Sequence, residues 1–272
     1  MSAPERPGLA AVLGAVLATA EPMAKVKAAR AAARDWRLGR LDARFDVAMP
    51  DRPARPPRPE LLPPSRMPKR GRAGSPRARV AMLHALAHIE FVAIDLAADL
   101  VGRFGAGRPR AFLDDGMRVL AEEAMHFALI ERRLRALGAG YGALPAHEGL
   151  WEAAAATAHD LPARLAVVPM VLEARGLDVT PATVARFAAA GDLASARILR
   201  RIAADEIGHV AVGTRWFESL CRDAGVAPAP EWHRLVRAHF RGSIKPPFND
   251  SARHAAGLTL EYYGGLAPET VS

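Results

Sequence analysis

The chain has 272 residues, half of them hydrophobic, enough to bury a full core in one large domain or in one domain with an extension. Its single cysteine, Cys221, excludes an internal disulfide framework, fits a reducing compartment and reads as a small core residue. The net charge of +8 is unevenly spread, because residues 1–80 hold 17 Lys and Arg against 7 Asp and Glu while residues 81–272 hold 20 against 22, so the basic character belongs to the N-terminal part. An apolar run from Gly8 to Ala20, preceded only by Arg6, imitates a secretory leader weakly. No segment reaches the roughly 20 apolar residues of a membrane span, so the expectation is a cytoplasmic protein without membrane contact.

Residues 8–40 read as one or two helices, with Pro22 in the first turn of the second and Lys25, Lys27, Arg30, Arg34 and Arg37 spread over an Ala-rich surface. Residues 50–79 are too rich in Pro and Arg for helix or sheet, and are expected to run extended as a strap on a helical bundle. The alternative for this basic arm is an anionic contact, RNA being one candidate, although residues 50–79 offer no aromatic group for base stacking.

Ser75 as N-cap and Pro76 at the first helical position open a helix expected to end near Val101. A second helix is expected from Pro109 to Leu137, closed by Gly138. A Gly/Pro loop and a short helix over Leu150–Ala158 lead to a third helix from Leu161, kinked at Pro169 and ending near Gly176. After a turn at Asp178–Pro181 and a short helix, the last long helix runs from Asp192 to about Arg222. Two short helices, Pro230–Arg241 and Ser251–Tyr263, form a cap. The resulting division is a basic arm over 1–74, a helical bundle over 75–224 and a C-terminal cap over 225–272.

The chemistry lies in Glu123-x-x-His126 and Glu206-x-x-His209. On a helix, residues three apart share a face, so each pair aims a carboxylate and an imidazole the same way. Glu90 and Glu173 each sit alone in an apolar stripe (Leu83, Ala87, Ile94 and Ala97; Leu165, Met170 and Leu177), where an unpartnered carboxylate needs a cation. Four carboxylates and two imidazoles form a set suited to iron or manganese. Helix-bundle dimetal proteins draw one Glu-x-x-His from each of two helices and a lone Glu from each of two others. Glu122 and Asp205 point about 100° away from their neighbouring acids and are expected outside the ligand set. His84 and His88 are expected to be structural, Asp95 and Asp99 to face solvent or the rim of the site, and His147, Glu148 and Trp151 to be structural loop residues. Gly208 and Gly213 leave two readings open, close helix packing or room for dioxygen beside His209. No spacing ties His233, His239 or His254 to the acids.

The ligand order resembles the ferritin-like superfamily of non-haem diiron proteins. More narrowly, the strings His84 to Glu90, Leu144 to Trp151, Val171 to Thr180 and Lys245-Pro-Pro-Phe-Asn249 resemble a ferritin-like family catalogued only as domain of unknown function 455. The resemblance implies an all-α, ferritin-like four-helix bundle with Glu90, Glu123, His126, Glu173, Glu206 and His209 as metal ligands. It implies two Fe ions, with Mn/Fe or two Mn as alternatives, and no particular substrate.

The expected function is that of an oxidoreductase that activates dioxygen to hydroxylate or otherwise oxidise an organic small molecule. Glu123 and Glu206 would be the catalytic carboxylates, one of them bridging the ions, and an external electron donor would supply reducing equivalents. Alternatives are a ferroxidase without organic substrate and an RNA-directed hydroxylase that uses the basic arm. A radical-generating subunit is disfavoured because Tyr141, Tyr262 and Tyr263 lie off the ligand helices. A homodimer is the expected assembly.

Overall fold

The computed structural model describes residues 6–67 and 74–265. Residues 68–73 of the expected strap and 266–272 of the expected cap lie outside them. The fold is all-α, as expected, and divides into two compact units, Met1–Trp151 and Glu152–Ser272.

The first unit is built on a hairpin of two long helices, α3 (Pro76–Phe104) and α4 (Arg110–Ala136), joined by a five-residue turn. Ser75 caps α3 through Ala78 N, and Pro109 precedes the first turn of α4. α3 passes the expected stop at Gly102, where the missing side chain makes room for Met49. Gly116 of α4 likewise gives way to Val101, drawing the two helices together. By length and composition α3 could cross a membrane, contrary to the sequence expectation, yet 67% of its most apolar window is buried. Two shorter helices, α1 (Leu9–Leu17) and α2 (Pro22–Arg37), pack on α3 and α4 respectively, with Leu13, Val26, Ala29 and Trp36 buried.

Two expectations about charge are overturned here. Lys25 is fully buried, on the same face of α2 as Val26, Ala29 and Ala32, and it ion-pairs with Asp95. Asp95 is buried as well, and it also takes Arg55 from the strap, whose Nε donates to Glu148 at 2.7 Å. Burial lowers the Lys25 pKa and raises that of Asp95, and each is opposed by the other's charge. Asp99, expected at the rim, is buried under Arg103 at 2.7 Å.

Over residues 50–67 the strap runs extended, apart from a 3-10 turn at Pro64–Arg66, while its expected last residues, 76–79, open α3; it is tied to the loop after α4 by Leu62 N to Ala146 O (2.8 Å) and Ala146 N to Glu60 O (2.9 Å). His84 and His88 anchor the same loop. Nε2 of His84 accepts from Gly142 N at 2.9 Å, while Nε2 of His88 donates to the His147 carbonyl at 3.0 Å, leaving its Nδ1 to accept from the Tyr141 hydroxyl at 2.8 Å.

A short helix, α5 (Gly149–Ala156), carries the chain from the first unit into the second. α6 (Leu161–Val167), a π-helical turn (Val168–Glu173) and α7 (Ala174–Ala189) follow one another without a break, and α8 (Leu193–Ala224) returns antiparallel. The π turn is where Pro169 removes a backbone donor, so the expected kink is a widened turn. The helix does not end near Gly176. It continues through Pro181, which leaves the Leu177 carbonyl without its helical donor, and the side-chain amide of Asn249 donates to that carbonyl at 3.1 Å.

α9 (Pro228–His239), α10 (Asp250–Ala255) and α11 (Leu260–Tyr263) complete this unit. The last two divide the single helix expected over Ser251–Tyr263, at Gly257, whose φ is +75°. Arg253 binds Asp178 through Nε and Nη2 at 2.8 and 2.7 Å, with its guanidinium against Phe248 and Tyr263. Asp178 and Arg175 therefore hold the Lys245–Asn249 segment in place, Arg175 by donating to the carbonyls of Lys245 and Pro247.

Candidate metal centre

In the first unit the α3–α4 hairpin brings Glu90 together with Glu123 and His126. Nδ1 of His126 lies 3.3 Å from Oε2 of Glu90 and 3.5 Å from Oε2 of Glu123, and the donor atoms of the three residues lie within 4.8 Å of one another. All three are buried, at 6%, 1% and 0% exposure. Burial works to discharge His126, but the carboxylates of Glu123 and Glu90 outweigh it and push its pKa up to about 11. The donor set therefore attracts a cation, and two carboxylate oxygens beside an imidazole nitrogen suit a hard or borderline divalent ion. Phe91, next to Glu90, and Phe127, next to His126, meet with ring centroids 5.5 Å apart. Tyr141 packs 5.2 Å from each, which the sequence did not reveal because its loop folds back onto the hairpin.

In the second unit the Glu-x-x-His pair recurs. Glu206 and His209 lie one turn apart on α8, with Oε1 3.5 Å from Nδ1 and His209 buried. Glu173, half-buried, is the last residue of the π turn. Its level is fixed by the close contact between Pro169 and Gly213, where an added Cβ would meet the proline ring at 2.5 Å. Glu173 is four residues beyond Pro169 and His209 four before Gly213, so in an antiparallel pair the two come level. The space beside Gly213 is thus filled by Pro169, and close packing is the reading that holds at that position. Glu90 precedes Glu123 by the same 33 residues that separate Glu173 from Glu206.

Other candidates have separate tasks. Glu122 pairs with Arg118 at 3.1 Å and Asp205 with Arg201 at 2.8 Å, each an i,i+4 pair on its own helix. His233 meets the Tyr262 carbonyl at 2.5 Å. A cavity of about 170 Å³ lies along Val171, Arg175 and Asp178, closed by Phe240 and Phe248, on the side of the helix away from Glu173.

A family model described as "Protein of unknown function (DUF455)" matches residues 18–264. The chain belongs to this family. An uncharacterized protein of Haemophilus influenzae is 43% identical over 210 residues, covering 75% of this chain and 73% of that protein. No solved structure matches. All six acid and imidazole positions of this DUF455 protein fall inside the matched stretch.

Proposed function

We propose that this protein binds two divalent ions, iron or manganese, one in each carboxylate–carboxylate–imidazole set, and acts as an oxidoreductase on an organic substrate. The observation that carries this reading is the buried Glu90–Glu123–His126 cluster, whose residue types recur at the same spacing in Glu173, Glu206 and His209. Bound iron would supply the reduction of dioxygen. The chain itself supplies ligands on stiff helices, with Glu90, Glu123 and His126 buried away from water. Glu123 and Glu206, each one turn from the imidazole of its own helix, are assigned to catalysis. Their carboxylates can change orientation or take a proton without moving the backbone.

The test is metal content per chain by mass spectrometry on protein grown with both metals supplied. The expectation is about two ions in the wild type, about one in Glu123→Ala or Glu206→Ala, and near none in the double variant. Oxygen uptake by the reduced, iron-loaded protein then reports on the reaction, and uptake that yields no organic product would reduce the function to iron oxidation. Magnetic coupling between the ions would show whether they share a bridging carboxylate. Protein that takes up no metal after anaerobic reconstitution would sink the proposal.

A further inference from the structure

The outer faces of α2 and α4 enclose an open groove of about 1300 Å³. On the α2 side stand Lys27, Arg30, Arg34 and Arg37, at intervals of three, four and three residues, which is one face of a helix over about 15 Å. Arg110 and Arg118 face them from α4. Arg34 is matched by Asp35, Arg110 by Asp114 and Arg118 by Glu122. Lys27, Arg30 and Arg37 have no ion pair among the described residues, although like charges so spaced repel along a helix. A cationic stripe of this kind is arranged for an anionic partner.

The rest of the groove says which kind. Its floor is apolar, with Met23, Val26, Met117 and Ala121. Arg and Met with little Lys is the composition of protein interfaces. Trp36 is not free to stack on a base, since its indole N–H donates to Asp114 at 2.7 Å and Arg110 covers its ring at 4.7 Å. That disfavours single-stranded RNA, which needs exposed aromatic faces. α4 also links the groove to the metal ligands, because Arg118 and Ala121 face the groove while Glu123 and His126 face the α3 side. Only the thickness of one helix, about 10 Å, separates them.

We propose that this groove is the docking surface for an acidic, one-electron iron–sulfur carrier protein. The proposal rests on the oxidoreductase reading above. Placing one oxygen atom of dioxygen in a C–H bond and releasing the other as water takes two electrons and two protons from outside, so two reduced carriers are oxidised per turnover. Electron-transfer encounters are small, weak and governed by charge.

The test uses the metal-free protein and an oxidised plant-type [2Fe–2S] ferredoxin, with binding measured by calorimetry at low salt and at about 0.3 M salt. The expected result is binding at low salt that is lost at high salt, and weakened at least about tenfold by Arg30→Glu/Arg37→Glu. Arg237→Glu/Arg241→Glu, which changes the net charge equally on exposed sites of the other unit, should leave it within about twofold. No binding, or equal weakening by both pairs, overturns the proposal. So does tighter binding of a polyuridine oligonucleotide that displaces ferredoxin, which would make the groove an RNA surface. Oxygen uptake driven by a small-molecule reductant reports separately on the oxidoreductase reading, so the two can fail independently.

Discussion

Lys25 of α2 ion-pairs with Asp95 of α3 in a place that solvent does not reach. Arg55 adds a second cation to the same carboxylate. Removing the acid strands Lys25 in the core and leaves Arg55 with Glu148 alone, so Asp95→Ala should cost about 3–5 kcal/mol in urea unfolding. Lys25→Met leaves Arg55 on Asp95 and should cost clearly less. Equal losses in the two variants would mean that the strap contributes nothing to holding this carboxylate.

His84 gives the fold a dependence on acid. Burial lowers its pKa from 6.5 to about 4 against the pull of Glu131, and Nε2 is committed as an acceptor from Gly142 N. A depressed folded-state value means that the unfolded chain binds the extra proton first. The contribution of His84 is therefore complete above pH 6.5 and is lost as the pH falls toward 4. Urea midpoints measured across that window should fall less steeply in His84→Gln than in the wild type.

Gly213 and Gly176 should respond to alanine with opposite signs. Alanine favours a helix interior by about 1 kcal/mol over glycine. At Gly176 nothing stands within 4 Å of the added methyl, so Gly176→Ala should raise stability by about 0.5–1 kcal/mol. At Gly213 the methyl meets the stiff Pro169 ring, and overpacking of about 1–3 kcal/mol should win. Thermal melts read both, and the metal content of Gly213→Ala should fall as well if Pro169 sets the level of Glu173.

The carbonyl of Leu177 depends on Asn249. Asn249→Ala should cost about 1–3 kcal/mol, part of it from the lost cap on Ala252 N. In a Pro181→Ala background, where residue 181 regains its N–H, the same change should cost less. A double-mutant cycle with no coupling would refute this account of how α7 passes a proline.

Much of the fold was legible locally. Ser75, Pro76, Pro109, Gly138 and Gly225 mark helix ends through their own backbone preferences, and the Glu-x-x-His spacing places its two side chains on one face whatever surrounds it. What the sequence hid depends on distant partners. Lys25 and Asp95 look like surface residues because their charges cancel only across 70 positions of chain. Gly176 and Pro181 look like a helix end because the replacement donor, Asn249, comes from a segment 72 positions from Leu177. The cations of α2 look evenly spread until α4 shows which of them share a groove.

The two proposed ligand sets are offset by one constant: Glu90, Glu123 and His126 each have a counterpart 83 positions later. The backbones beneath them differ, since Glu90 sits on a regular helix and Glu173 on a π turn. The sequence repeat is therefore not matched by a repeat of backbone geometry. Pro169→Ala, which invites the π turn to relax toward regular helix, would isolate what that distortion contributes to the second set.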